Sequence, residues 1–264
     1  EKITGEKGYF DTRIVYISEA GTQKNRTKKL AIMDQDGENH KFLSDGKDVL
    51  ITPRFSPTQQ KITYMIYDPK TQKGKVYTLD LETGKKELLP LPGITYAPRF
   101  SPDGKKVILS QARKGVSNLY EFNLGTKKAQ QLTKEYSINT SPCYSPDGEK
   151  VVFNSDRSGN KQVYILDMKN SKITRISGGG GVYATPVWSP NGKWIAFTKA
   201  EAGTFYIGVM KPDGSEERLI AEGFFTEAPT WAPNSRTIMF YRQGKWQNKG
   251  EKGGKAQLYS IDIT

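Results

Sequence analysis

A serine nucleophile activated by histidine, or a metal ion held by imidazoles, needs more histidine than this chain offers: His40 is the only one. That leaves a Ser-His-Asp triad or a histidine metal cluster almost no room, and no Gly-x-Ser-x-Gly elbow presents a nucleophile. Cys143 is the single cysteine, so no internal disulfide forms and the redox compartment stays undecided. Its equivalents in related stretches are Arg54, Arg99, Val187 and Thr230, which marks it as an inert strand residue rather than a reactive thiol. The run GGGGVYATP at 178–186 suggests a phosphate cradle, but no Gly-Lys-Ser/Thr or following helix accompanies it, and it reads as a loop. Asp103, Asp147 and Asp156 read as turn residues rather than calcium ligands. No catalytic residue, metal ligand or cofactor is expected.

What remains is a binding surface, and the elements that position it repeat. SPCYSPDGEKVVF at 141–153 combines two prolines around an aromatic, a Ser-Pro-Asp-Gly turn and a β-rich run. The pentapeptide recurs as PRFSP, PRFSP, PVWSP and PTWAP, with leading prolines at 53, 98, 142, 186 and 229, spaced 45, 44, 44 and 43 residues apart. Ten of the 14 prolines fall in these copies, so chance is a poor explanation. A second element keeps the period: Val76-Tyr77 with Asp80, Leu119-Tyr120 with Asn123, Val163-Tyr164 with Asp167, Leu258-Tyr259 with Asp262. Leu30-Ala31 with Asp34 is a weaker copy, and Phe205-Tyr206 with Val209 is taken as a copy without the acid.

Short β-rich segments at 61–67, 106–110, 150–154, 194–198 and 237–241 lie between these elements, and no segment of ten or more residues has helical period. Each unit therefore reads as four antiparallel strands, and four-stranded units at this period are β-propeller blades. The fold expected is all-β: a six-bladed β-propeller with repeats near 12–43, 50–89, 95–132, 139–176, 183–220 and 226–264, preceded by a linker-like segment at 1–11. Phe55, Phe100, Tyr144, Trp188 and Trp231 are expected to wedge between blades. The first blade is expected to lack its innermost strand and the last its outermost, leaving ring closure incomplete.

A formal charge of +12 invites nucleic acid, anionic lipid or an acidic protein. The basic residues are scattered one to three per loop without a basic-aromatic stripe, so nucleic acid and polysaccharide are disfavoured. No apolar run approaches the roughly 18 residues of a membrane span, so no membrane insertion is expected. No signal peptide is visible, and the start at Glu1 suggests a mature or shortened product.

The repeat resembles the six-bladed propeller repeats of the TolB family. EKITGEKGYFDTRIVYI at 1–17 sharpens this, because its Thr-Gly and Thr-Arg-Ile-x-Tyr patterns look like that family's linker between a small N-terminal domain and the propeller. The resemblance covers the whole chain. It implies a monomeric, non-catalytic component of the Tol–Pal system in the periplasm. Such a component binds the lipoprotein Pal, communicates with TolA through the N-terminal domain, and is used by some bacteriocins for import. It serves outer-membrane integrity, protein transport and cell division. Without the N-terminal domain, the chain is expected to keep the Pal surface and lose the TolA segment. The rival reading is the substrate-gating propeller of a prolyl-oligopeptidase-like hydrolase, which the linker-like opening disfavours.

Loops of an up-and-down blade alternate between faces, so the segments leading into each Pro-x-aromatic strand should gather at the channel mouth. Matched by distance from the motif proline, the resemblance places Pal recognition on Ile94, Ala97, Thr140 and Ser141. The candidate partner-binding set is Ile94, Thr95, Tyr96, Ala97, Asn139, Thr140, Ser141, Tyr183, Thr185, Thr226 and Glu227. Trp246, in the long basic insertion at 242–255, is a rim candidate.

Overall fold

The computed structural model describes residues 12–22, 25–244 and 256–264. The linker-like segment at 1–11 and Trp246 lie outside them. The described residues divide at Tyr136 and Ser137 into two compact units. No described residue lies in a helix.

The first unit holds three antiparallel sheets. One is β1 (Arg13–Thr22), β2 (Asn25–Asp34) and β3 (Lys41–Phe42). The next is β4 (Val49–Phe55), β5 (Lys61–Asp68), β6 (Lys73–Asp80) and β7 (Lys86–Leu88). The third is β8 (Ile94–Phe100), β9 (Lys106–Arg113), β10 (Val116–Asn123) and β11 (Ala129–Gln131). The second unit repeats the plan. Its sheets are β12 (Asn139–Tyr144), β13 (Lys150–Ser158), β14 (Asn160–Asp167) and β15 (Ile173–Arg175), then β16 (Val182–Trp188), β17 (Ile195–Glu201), β18 (Thr204–Met210) and β19 (Arg218–Gly223). The last is β20 (Phe225–Trp231), β21 (Thr237–Gln243) and β22 (Gln257–Asp262). Six sheets of three or four strands in sequence order make the six blades of a β-propeller fold.

Turn chemistry explains where each first strand stops. The amides of Gly104, Gly148 and Gly192 donate to the carbonyls of Ser101, Ser145 and Ser189, each at 2.9 Å. Each glycine closes its turn with φ between 70° and 76°, a region that costs a side chain energy and glycine none. Asp103 and Asp147 act as turn residues: each accepts a hydrogen bond from the serine two positions earlier, which holds its carboxyl below the usual aspartate value. Asp156 accepts the Ile138 amide at 2.7 Å.

The cores lie between successive sheets. Phe100 of β8 packs with Val76 of β6 and Leu89 beyond β7, in a cluster completed by Val107, Leu109 and Phe122. In the second unit, Trp188 packs with Cys143, Val152 and Val163 of the preceding sheet. Trp231 also ties a sheet to its predecessor, its indole N–H donating to the Val187 carbonyl at 3.0 Å. A buried side chain of this size is worth about 1.5–3 kcal/mol. Phe100, Trp188 and Trp231 therefore fasten blade to blade.

Two three-stranded sheets fall where the strand count places them. β1 pairs with β2 as β5 pairs with β6, matching Tyr16↔Ala31 to Tyr64↔Tyr77. The described residues of the first sheet therefore lack a first strand, and those of the last lack a fourth.

The fifth copy of the Tyr element needs correction. Phe153 faces Tyr164 and Phe240 faces Tyr259, but Phe197 faces Gly208, not Tyr206. The copy is Ile207-Gly208 with Lys211 in the acid's place, two residues beyond Phe205-Tyr206. The cause is steric: a Cβ at Gly208 would overlap the Phe197 ring.

Candidate binding surface at the strand lead-ins

The residue before each motif proline adopts left-handed backbone. Thr52, Ala97, Ser141, Thr185 and Ala228 have φ of 53°, 50°, 55°, 47° and 57°. Proline normally pushes its predecessor into extended conformation, and a left-handed L-residue costs roughly 1–2 kcal/mol. The ladder shows what maintains it. Thr140 pairs with Asn154 and Cys143 with Val152, so three steps on β12 match two on β13. The same one-residue bulge occurs at Ile51/Arg54, Tyr96/Arg99, Ala184/Val187 and Glu227/Thr230. A bulge re-aims the chain and increases its twist. Five strained bulges at one repeat position form a built feature.

Each bulge sorts the candidate residues by depth. Counting back from the proline, the third residue is buried in all five blades: Leu50, Thr95, Asn139, Tyr183 and Thr226. These side chains face inward and hold structure. The Thr95 hydroxyl accepts the Val76 amide at 3.0 Å. Asn139 accepts from the Arg157 guanidinium at 2.9 Å and donates to Ser137 at 3.1 Å. Tyr183 donates to Glu217 at 2.7 Å, and Lys199 lies 3.6 Å from the same carboxylate. Burial, then the Glu217 bond, pushes the Tyr183 phenol up to about 12.

The second and first residues before the proline are partly or fully accessible: Ile51 and Thr52, Tyr96 and Ala97, Thr140 and Ser141, Ala184 and Thr185, Glu227 and Ala228. Ile94, the fourth residue before Pro98, is half-buried. Tyr96 donates its phenol to Ser117 at 2.7 Å. In the second unit, Thr198 links two lead-ins, 2.8 Å from the Thr185 hydroxyl and accepting the Ala228 amide at 3.3 Å. Glu227 has its carboxyl raised above the ordinary value by burial. Behind the lead-ins, Ser110 Oγ, Asn154 Oδ1 and Thr226 Oγ1 are buried polar atoms without a hydrogen-bond partner. Sequence reasoning missed these atoms and the bulge. The available signal was the uniformly small or β-branched residue before each proline.

The lead-ins thus combine small hydroxyls, one carboxylate and left-handed backbone. The sheets define a six-bladed β-propeller fold. Residues 1–264 match the family model described as the TolB beta propeller domain, and the chain belongs to that family. It is 51% identical over 273 residues to the Tol-Pal system protein TolB of Rickettsia bellii (strain OSU 85-389), covering 100% of this chain and 61% of that protein. Its structure is similar to crystalline TolB from Acinetobacter baumannii, with a TM-score of 0.84 and 28% identity over 98% of this chain and 63% of the other. A puromycin hydrolase structure matches with a TM-score of 0.60 and 17% identity, over 87% of this chain and 40% of the other, a likeness of fold alone. The chain spans about three fifths of the curated relative's length.

Proposed function

We propose that this propeller is a non-catalytic binding module of a Tol–Pal envelope system, working in the periplasm and holding the lipoprotein Pal through its strand lead-ins. In that role it supports outer-membrane integrity and envelope constriction at division. Bacteriocin translocation peptides compete for the same surface, and contact with TolA falls to a part of the protein outside this chain.

The observation that carries this reading is the bulge at Thr140 and Ser141. Both are half-buried, Ser141 is held at φ 55°, and Asn154 Oδ1 waits unpartnered across the ladder from Thr140. A loop inserted here finds short donors and acceptors on backbone already fixed, so little entropy is lost on binding. The same repeat positions recur as Tyr96 and Ala97 in the first unit and as Thr185 and Glu227 in the second.

Calorimetry against Pal tests it. Thr140→Arg places a bulky charge at the lead-in and should cost on the order of 2 kcal/mol, about 30-fold in affinity. Melting temperature should hardly change, since Thr140 is outside the inter-blade cores. Lys105→Ala, exposed at the other end of its blade, should bind normally. Normal binding by Thr140→Arg with loss in Lys105→Ala assigns the opposite face.

A further inference from the structure

Two blades of the second unit differ at one repeat position on their second strands. Thr198 lies opposite Ala184 and Asn154 opposite Thr140, in each case the second residue before the motif proline. Both side chains are buried, 2% and 1% exposed, and both face the following sheet. Thr198 does so through its bond to Ala228 of β20. Asn154 shares a face of β13 with Val152, two residues earlier, and Val152 packs with Val187 and Trp188 of β16. The two side chains nevertheless end differently. The Thr198 hydroxyl accepts the Ala228 amide at 3.3 Å and lies 2.8 Å from the Thr185 hydroxyl, which closes the junction between β17 and β20. On β16 the residue matching Ala228 is Thr185. Its hydroxyl is turned to Thr198, and its amide does not donate to Asn154, whose Oδ1 has no hydrogen-bond partner. The junction between β13 and β16 thus keeps one unmet acceptor.

Native chains leave few buried polar groups unpaired, and each one left asks for a water, an ion or a ligand. Asn154 Oδ1 is a neutral oxygen, and among the described residues no group of three His, Cys, Asp or Glu could hold a metal ion. A lone neutral acceptor matches an N–H donor. Thr140, directly opposite on the ladder, shares its face with Asn154. It is half-buried, as is Thr185 on the next lead-in, so the path to the oxygen runs along short side chains. We propose that Asn154 is a specificity-determining residue that accepts an amide N–H from a segment inserted between the lead-ins of β12 and β16. The donor is a main-chain amide or the carboxamide of Asn or Gln. This rests on the binding function proposed above and adds where the segment enters and what it must donate. The junction between β17 and β20 takes no such group, because Thr198 already holds the lead-in amide there.

Calorimetry against Pal, with a thermal melt of each variant, tests this on the whole chain. Asn154→Leu and Asn154→Ala both remove the acceptor, the first filling its space and the second leaving it open. Each should bind about tenfold more weakly, the loss of one buried hydrogen bond. Asn154→Asp keeps an oxygen in place and should bind within about threefold of the parent. Asn154→Leu should melt no lower than the parent, because it removes an unpaired polar group. A merely structural side chain would instead lower the melting temperature and leave affinity alone. If the melt shows one variant unfolded, the remaining two decide. Parent-like affinity in both Asn154→Leu and Asn154→Ala overturns the site, and the oxygen then serves an ordered water only. Weak binding by Asn154→Leu beside parent-like Asn154→Ala overturns it as well, since obstruction explains that pattern. In either case, loss of binding in Thr140→Arg leaves the proposed function standing. Parent-like binding by Thr140→Arg removes that function and this inference together.

Discussion

Glu227 carries the only acidic side chain among the residues one or two steps before the motif prolines, and burial raises its carboxyl above the ordinary value. Desolvation penalises the charged form, so the folded state prefers the proton more than the unfolded chain does. The sign follows: this preference favours folding fully below the unfolded-state pKa, and the favourable contribution is lost as pH rises through the folded value. Above that, the buried carboxylate is a liability that glutamine does not share. Glu227→Gln should therefore melt at the parent's temperature near about pH 3, where the carboxyl is protonated in both states, and above it at neutral pH. Melting curves across that range provide the check. A gap that does not vary with pH would mean the carboxyl is not the cause. Retention of a costly acid at a lead-in is consistent with a partner that offers it a donor.

Gly208 shows how an element settles a conflict that one residue creates. Phe197 points where the Tyr of other blades would begin, and the strand accommodates it by giving up the side chain opposite. Gly208→Ala forces the new methyl into that ring and should cost about 1–3 kcal/mol. Combining it with Phe197→Leu should recover part of the loss, because the overlap is removed. Chemical denaturation of the single and double variants measures both effects, and additive losses would rule out the steric cause. This copy was misplaced by two residues in the sequence because Phe205-Tyr206 imitates the element while the true position holds glycine. Prolines and turn residues, by contrast, state their backbone needs directly, which is why the blades and the two short sheets were legible. The candidate surface was only half legible. Strict alternation would put the second residue before the proline on the proline's buried face and the third outside. The bulge inserts one residue and exchanges them, so Thr95, Asn139, Tyr183 and Thr226 turn inward. The small or β-branched residue before each proline is a weak signal for left-handed backbone, because a residue before proline normally avoids it.

Within each unit, the residues of one sheet pack against the sheet before it, so a strand without an outer neighbour should be a measurable weakness. β22 is that strand. Asp262 already receives the Thr264 amide at 2.9 Å, as Asn123 receives the Gly125 amide at 3.0 Å before the chain turns into β11. The Ile263 amide donates to the Arg236 carbonyl as Leu124 donates to Lys105, both at 3.0 Å. Thr264 thus stands where Gly125 stands, and TKKAQQLTK appended after it should follow the path of residues 126–134. The new segment would pair with Leu258 and Ser260 and bury the remaining surface of Leu258 and part of Tyr259. Covering that area should contribute about 1–2 kcal/mol, a rise of roughly 2–8 °C in melting temperature for a domain of this size. A scrambled appendage of the same composition separates strand pairing from added charge. An equal rise with both appendages, or none with either, would show that β22 does not accept a fourth strand in this register.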